Sequence, residues 1–128
     1  MMVNGLRQVA QHVDDLDRAV AFYRDVVGLA LIARFDPPGL AFFELGSTRL
    51  LLEAGAPRAI LYLDVDDVAA ATAELRAKGI TIASEPHVIH VDVDGRFGPA
   101  GEAEEMAFFR DSEGNLVGLA GRRVLGSD

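Results

Sequence analysis

A chain of 128 residues, half of them hydrophobic, is one domain's length, can fill a core and is too apolar for disorder. Its lack of cysteine excludes disulfides, thiolate chemistry and cysteine-held zinc, and its net charge of −8 argues against nucleic acid, whose phosphates demand a basic face. No apolar run nears membrane-spanning length and no signal-peptide pattern opens the chain, so a soluble cytoplasmic protein with no membrane partner is expected.

Residues 6–29, LRQVAQHVDDLDRAVAFYRDVVGL, read as a strand, an acidic turn, an amphipathic helix and a glycine stop. Val9 and Val13 fall on one strand face, with Gln8, Ala10 and His12 on the other. Asp14 or Asp15 can cap the helix, because a short carboxylate satisfies its free amides, and Asp17 suits the positive end of the dipole. Leu16, Ala19, Val20, Tyr23, Val26 and Val27 recur at helical spacing, and Gly28 supplies the left-handed stop.

Strands are expected at 29–35, 40–46 and 48–54, with Pro37-Pro38-Gly39 turning the first pair. After a linker at Gly55–Arg58, AILYLDVDDVAAATAELRAKGI (59–80) repeats the opening unit, sharing V-D-D-[LV] at 13–16 and 65–68. A strand bent at Pro86 (80–93), a mobile glycine-rich loop (95–102) and a hairpin (104–111 and 115–121) closed by Ser112-Glu113-Gly114 follow. The tail VLGSD (124–128) should fray. Two AFF strands echo one another, and alternation turns Phe42 away from Phe43 and Phe108 away from Phe109.

Chemical motifs are sparse. There is no phosphate loop in a strand-to-helix context and no G-x-S-x-G elbow. His87 and His90, three apart on a strand, should face opposite ways. Asp92–Gly95 and Asp111–Asn115 lack calcium-loop spacing and read as turns.

The V-x-D-[LV]…A-x-x-FY-x-x-x-x-G-L pattern at 13–29, with the DSEGN turn at 111–115, resembles the glyoxalase/bleomycin-resistance/extradiol-dioxygenase (vicinal oxygen chelate) superfamily. The resemblance spans roughly residues 6–121. It implies an α+β fold, two βαβββ modules (about 6–54 and 59–121) forming an incurved mixed sheet around a cleft, within one domain over 1–128. It also implies a divalent-ion site in the family's enzymes, and drug binding alone in other members.

Carried over one position at a time, the family's metal ligands fall on Gln8, Glu53, Ile60 and Gly118. Isoleucine has no donor and glycine only its backbone, so Gln8 and Glu53 would hold an ion weakly and no cofactor is expected. His12 lies on the face of Gln8, where relatives contact substrate. It reads equally as a ligand contact or as a half-buried histidine bonded to a backbone carbonyl. Glu53 reads as a general base if burial raises its pKa, or as a strand-end carboxylate paired with Arg49 or Arg58. His90 is a weaker contact candidate.

The leading expectation is a small-molecule-binding, resistance or ligand-sequestering protein using Gln8, His12, Glu53 and His90, and assembling as a homodimer. The alternatives are a metal-dependent lyase or epimerase resembling glyoxalase I or methylmalonyl-CoA epimerase, and a metal-free enzyme with Glu53 as catalytic base. A flap at residues 95–101 over the cleft mouth is a further expectation.

Overall fold

Val9, Gln11 and Val13 alternate with Gln8, Ala10 and His12, and the resulting strand β1 (Gln8–His12) runs parallel to β4 (Thr48–Glu53). A parallel pair cannot be joined by a tight turn. The crossover contains helix α1 (Leu16–Ala21), its π-helical continuation (Phe22–Val27), β2 (Leu31–Phe35) and β3 (Leu40–Leu45). The sheet order is β1-β4-β3-β2, and the pairs β2–β3 and β3–β4 are antiparallel.

Of the two candidate caps, Asp15 is extended and accepts the Arg18 amide, while Gly28 at φ 87° ends the helix. The expected stripe slips after Val20. From Phe22 the helix has π geometry, whose wider turn rotates the later side chains. Phe22 and Tyr23 are therefore buried, while Val26 and Val27 are only half-buried.

Helix α1 packs on β3 and β4, burying Ala19, Val20 and Tyr23 with Ala41, Phe43, Leu50 and Leu52. Each such large side chain contributes about 1.5–3 kcal/mol. Gln11 is buried on this face too, and both ends of its amide are engaged. Its Oε1 accepts from the His12 and Ala59 amides, and its Nε2 donates to the Ala59 carbonyl.

The second module repeats the plan with β5 (Leu61–Asp64), α2 (Val68–Ala77), β6 (Ile82–Val91), β7 (Glu102–Arg110) and β8 (Leu116–Val124). Its order is β5-β8-β7-β6, with β5 parallel to β8. Asp67 caps α2 through the Ala70 amide, as Asp15 caps α1. Helix α2 packs on β6, β7 and β8, covering Phe109, Val117 and Leu119 with Val68, Thr72 and Leu75. Both AFF strands obey the expected parity, since Phe43 and Phe109 are buried while Phe42 and Phe108 turn to the other face.

The computed structural model describes residues 1–125; of the tail expected to fray at 124–128, Val124 instead ends β8, and 126–128 lie outside the described residues. The two βαβββ modules form two four-stranded mixed sheets, in keeping with the expected α+β fold. By contact the chain divides between 59 and 60, except that the turn 111–115 belongs with the first unit. No helix among the described residues is long and apolar enough to cross a membrane.

Candidate functional site

Each sheet has one face under its helix and one face free of it, and the sequence-predicted residues lie on the free faces. In the first unit Gln8, His12 and Glu53 share that face with Phe42, Arg49 and Leu51. The Phe35 and Phe42 rings meet edge to face at 6.0 Å and 77°. Arg49 lies over the Phe42 ring, 5.8 Å from its centroid, and its Nε donates to Gln8 Oε1 at 2.7 Å.

The register decides which candidates meet. Gln8 is level with Arg49 and His12 is level with Glu53. Gln8 and Glu53 are thus four residues apart along the ladder, about 13 Å at strand rise. Glu53 is half-buried and its carboxylate has no partner among the described residues, because Arg49 bonds Gln8 and Arg58 bonds Asn115.

His12 is committed on both sides. Its Nδ1 lies 2.9 Å from the Ala54 carbonyl and its Nε2 lies 2.7 Å from Asp14 Oδ1. Both partners are acceptors, so both contacts are hydrogen bonds only when the ring carries two protons. The Asp14 hydrogen bond accordingly raises the His12 pKa, and the same bond lowers that of Asp14. A ring held this way presents no free nitrogen to a ligand or an ion.

In the second unit Gly118 lies level with Tyr62 on one side and Phe108 on the other. Those two rings close over it edge to face, at 6.0 Å and 81°. A Cβ on Gly118 would lie 2.9 Å from Tyr62 Cδ1 and 3.0 Å from Phe108 Cε1. Glycine is what allows the aromatic pair. Tyr62 remains 56% exposed, and Ile60, just before β5, is also exposed.

The histidines on β6 depart from simple alternation. His87 is level with Met106 and His90 with Glu104, which are two apart on β7, so both histidines face the same way. A register shift between Val88 and His90 resets the parity. His87 Nδ1 lies 2.8 Å from the carbonyl of Glu85, two residues earlier, and the His90 ring meets Phe97 at 5.5 Å. His90 and Phe97, but not His87, border a depression of ≈ 400 Å³ together with Met106, Glu104 and Arg122.

The loop expected to be mobile is tied down. Buried Asp92 accepts the Arg96 and Phe97 amides and an Arg122 Nη2 bond, while Arg122 also reaches Glu102 and the Pro99 carbonyl. Burial opposes the charge on Asp92, but these donors hold its pKa down at about 2.

The turn 111–115 concentrates buried polar groups that sequence reading treated as a simple hairpin closure. Glu113 Oε1 accepts the Asp14 and Asp15 amides, both at 2.7 Å, and Arg18 and Ser112 complete its shell. Asp111 accepts the buried Tyr23 hydroxyl at 2.7 Å, and burial with that charge pushes the phenol pKa up. Glu113 serves the opening of α1, and Asp111 holds the π-helical segment through Tyr23. The aspartate, glutamate and asparagine of DSEGN were the available signal.

The four positions carried over from the family do not suit an ion. Gln8 is taken by Arg49, Glu53 is four residues away from it, Ile60 has no donor, and the side-chain space at Gly118 holds two rings. No group of three or more His, Cys, Asp or Glu side chains among the described residues could hold a metal ion. Arg49, Phe35 and Tyr62 are the features of the free faces that the sequence reading missed. An arginine in the leucine run TRLLLEA was the one visible cue.

A family model described as Glyoxalase/Bleomycin resistance protein/Dioxygenase superfamily matches residues 5–119. Among solved structures, TnmS3, an antibiotic binding protein from Streptomyces sp. CB03234, has a TM-score of 0.77 at 23% identity, covering 96% of this chain and 99% of its own. A lactoylglutathione lyase from Agrobacterium tumefaciens has a TM-score of 0.67 at 28% identity, covering 93% and 94%. A glyoxalase/bleomycin resistance protein from Streptomyces sp. CB03234 has a TM-score of 0.68 at 24% identity, covering 90% and 98%. No curated protein matches the chain.

Proposed function

This chain belongs to the glyoxalase/bleomycin resistance protein/dioxygenase superfamily, and we propose that within it the protein binds a small, partly aromatic molecule without chemical conversion, in a resistance or sequestering role. The observation that carries this reading is the Tyr62–Phe108 pair over Gly118, where a ring more than half exposed stands on a free sheet face. Aromatic side chains offer large contact area at low entropy cost, and edge-to-face rings leave a slot for a third ring. The Phe35–Phe42 pair offers the first unit a similar surface, with Gln8 and Arg49 as its polar neighbours. The antibiotic-binding function of one structural neighbour and the resistance label of another agree with the reading.

The chain has no tryptophan and two tyrosines, of which Tyr23 is buried against Asp111. Tyrosine emission therefore reports largely on Tyr62. Titration with a panel of aromatic compounds should yield a saturable change in that emission with a matching rise in melting temperature. Phe108→Ala should weaken it. A panel without one saturable response would remove the reading.

A second reading rests on Glu53, whose half-buried carboxylate is unpaired among the described residues and level with His12. As a metal-free base it would abstract a proton from a bound substrate. Glu53→Gln should then abolish turnover and spare binding. The reading also includes a cytoplasmic homodimer, supported by the exposed apolar edge strand β2, whose Leu31, Ile32 and Phe35 face solvent.

A further inference from the structure

The N-terminal approach to β1 and the β3–β4 turn enclose a polar depression of ≈ 520 Å³, lined by residues 4–7 and 47–49. Arg7 and Arg49 both line it. The Arg49 amide donates to the Arg7 carbonyl at 3.2 Å, so both residues stand at the same end of the β1–β4 ladder. Seven other arginines form ion pairs with carboxylates, whereas Arg7 and Arg49 form none among the described residues. In a chain of net charge −8, a pair of uncompensated cations in one hollow is out of keeping with the rest of the surface. Glu44, level with Arg49 on β3, is the nearest carboxylate by register, yet it is exposed and makes no ion pair with it.

Arg49 is also held in place. Its Nε is used by Gln8 Oε1 and its guanidinium lies over Phe42, which leaves its terminal nitrogens without a protein acceptor among the described residues. A planar fork fixed by one bond and one ring contact is prepared for bidentate reception of an oxyanion. Ser47 and Asn4 add neutral polar groups to the lining.

We propose that this hollow is a binding site for a small oxyanion, a carboxylate or phosphate group, received by Arg49 with Arg7. The oxyanion site is built from the first unit alone, and only its extension onto Phe42 rests on the aromatic-ligand reading. Such a group arrives either as free inorganic phosphate or as the acidic end of an organic molecule, whose ring would continue onto Phe42.

The test is calorimetric titration and thermal shift with sodium phosphate and with sodium benzoate, each against sodium chloride at equal ionic strength. Saturable binding of an oxyanion beyond chloride is expected. Tighter benzoate identifies an organic acid, and tighter phosphate identifies a phosphoryl group. Arg7→Gln and Arg49→Gln should each weaken binding ~10-fold or more, as for a lost charged hydrogen bond, and Arg49→Lys should not restore the fork. Arg7 is exposed and precedes the sheet, so its variant keeps the fold and is decisive. Tyr62→Ala should leave oxyanion binding unchanged, which separates this site from the aromatic one. A response no larger than that of chloride, or binding undiminished in Arg7→Gln, would overturn the proposal.

Discussion

Arg18 and Glu113, 95 residues apart in sequence, are joined by two hydrogen bonds, Nε to Oε2 at 2.8 Å and Nη2 to Oε1 at 3.1 Å. Glu113 thereby acts as a second, long-range cap on α1, since its Oε1 also accepts the amides of Asp14 and Asp15. Burial alone would raise its pKa, but Arg18, the two amides and Ser112 hold the carboxyl at about 2.

Replacing Glu113 by Gln should therefore destabilise the protein at neutral pH. The glutamate side chain is inaccessible while Arg18 is half exposed, so the loss falls near the low end for a charged pair, about 2 kcal/mol. The pH dependence has a definite sign. A depressed carboxyl adds stability in full above its ordinary pKa of 4.5 and loses it as pH falls toward about 2. Urea unfolding from pH 7 to 3 should show a steeper acid loss in the wild type than in Glu113→Gln. Parallel profiles would contradict this account.

The His12–Asp14 clip has the opposite sign on the histidine side. A raised imidazole pKa adds stability below the unfolded value, about 6.5, and loses it as pH rises through the folded value. In a proton NMR titration His12 should have a midpoint above that of an unperturbed histidine. Asp14→Asn should bring it down, because the Asp14 hydrogen bond is the largest cause of the shift. An unchanged midpoint in the variant would remove the clip.

The homodimer is tested at β2. This strand is the outer member of its sheet, and it exposes Leu31, Ile32 and Phe35, an apolar edge of the kind that invites pairing. Sedimentation at micromolar concentration should give twice the chain mass for the wild type and a monomer for Ile32→Glu. Because Ile32 is a surface position, the variant's own fold should change by less than about 0.5 kcal/mol. A monomeric wild type would end the argument.

Local signals were legible in the sequence, and long-range ones were not. The V-D-D-[LV] turns, the Asp15 and Asp67 caps and the opposite facing of Phe42 and Phe43 depend on residues within a few positions. Register is different. Nothing near Glu53 says that it lies level with His12 and not Gln8, and that pairing decides which side chains share a site. The shift between Val88 and His90 is equally silent, although it turns both histidines to one face. The acidic turn 111–115 looked like a solvated hairpin because its partners, Arg18 and Tyr23, lie at the other end of the chain. Expectations about the site therefore depended on alignment with the family, and the register separates what that alignment brought together.

The sharpest test of the free face in the second unit is Gly118→Ala. On backbone grounds alone alanine should help, because glycine in a strand costs roughly 0.5–1 kcal/mol in chain entropy. Packing opposes it. The new methyl would lie 2.9 Å from Tyr62 Cδ1 and 3.0 Å from Phe108 Cε1, both inside ordinary contact, so at least one ring must move. Overpacking of this kind costs typically 1–3 kcal/mol, and a net loss is expected. Tyr62 is more than half exposed and is the ring freer to leave. In a double-mutant cycle, Gly118→Ala should then be harmless or stabilising in a Tyr62→Ala background, with a coupling of about 1 kcal/mol or more. The same crowding bars a larger donor at this position, since a glutamate there would have to displace both rings before reaching an ion. Strict additivity of the two substitutions in chemical denaturation would show that Tyr62 does not stand over Gly118, and the aromatic slot would lose its basis.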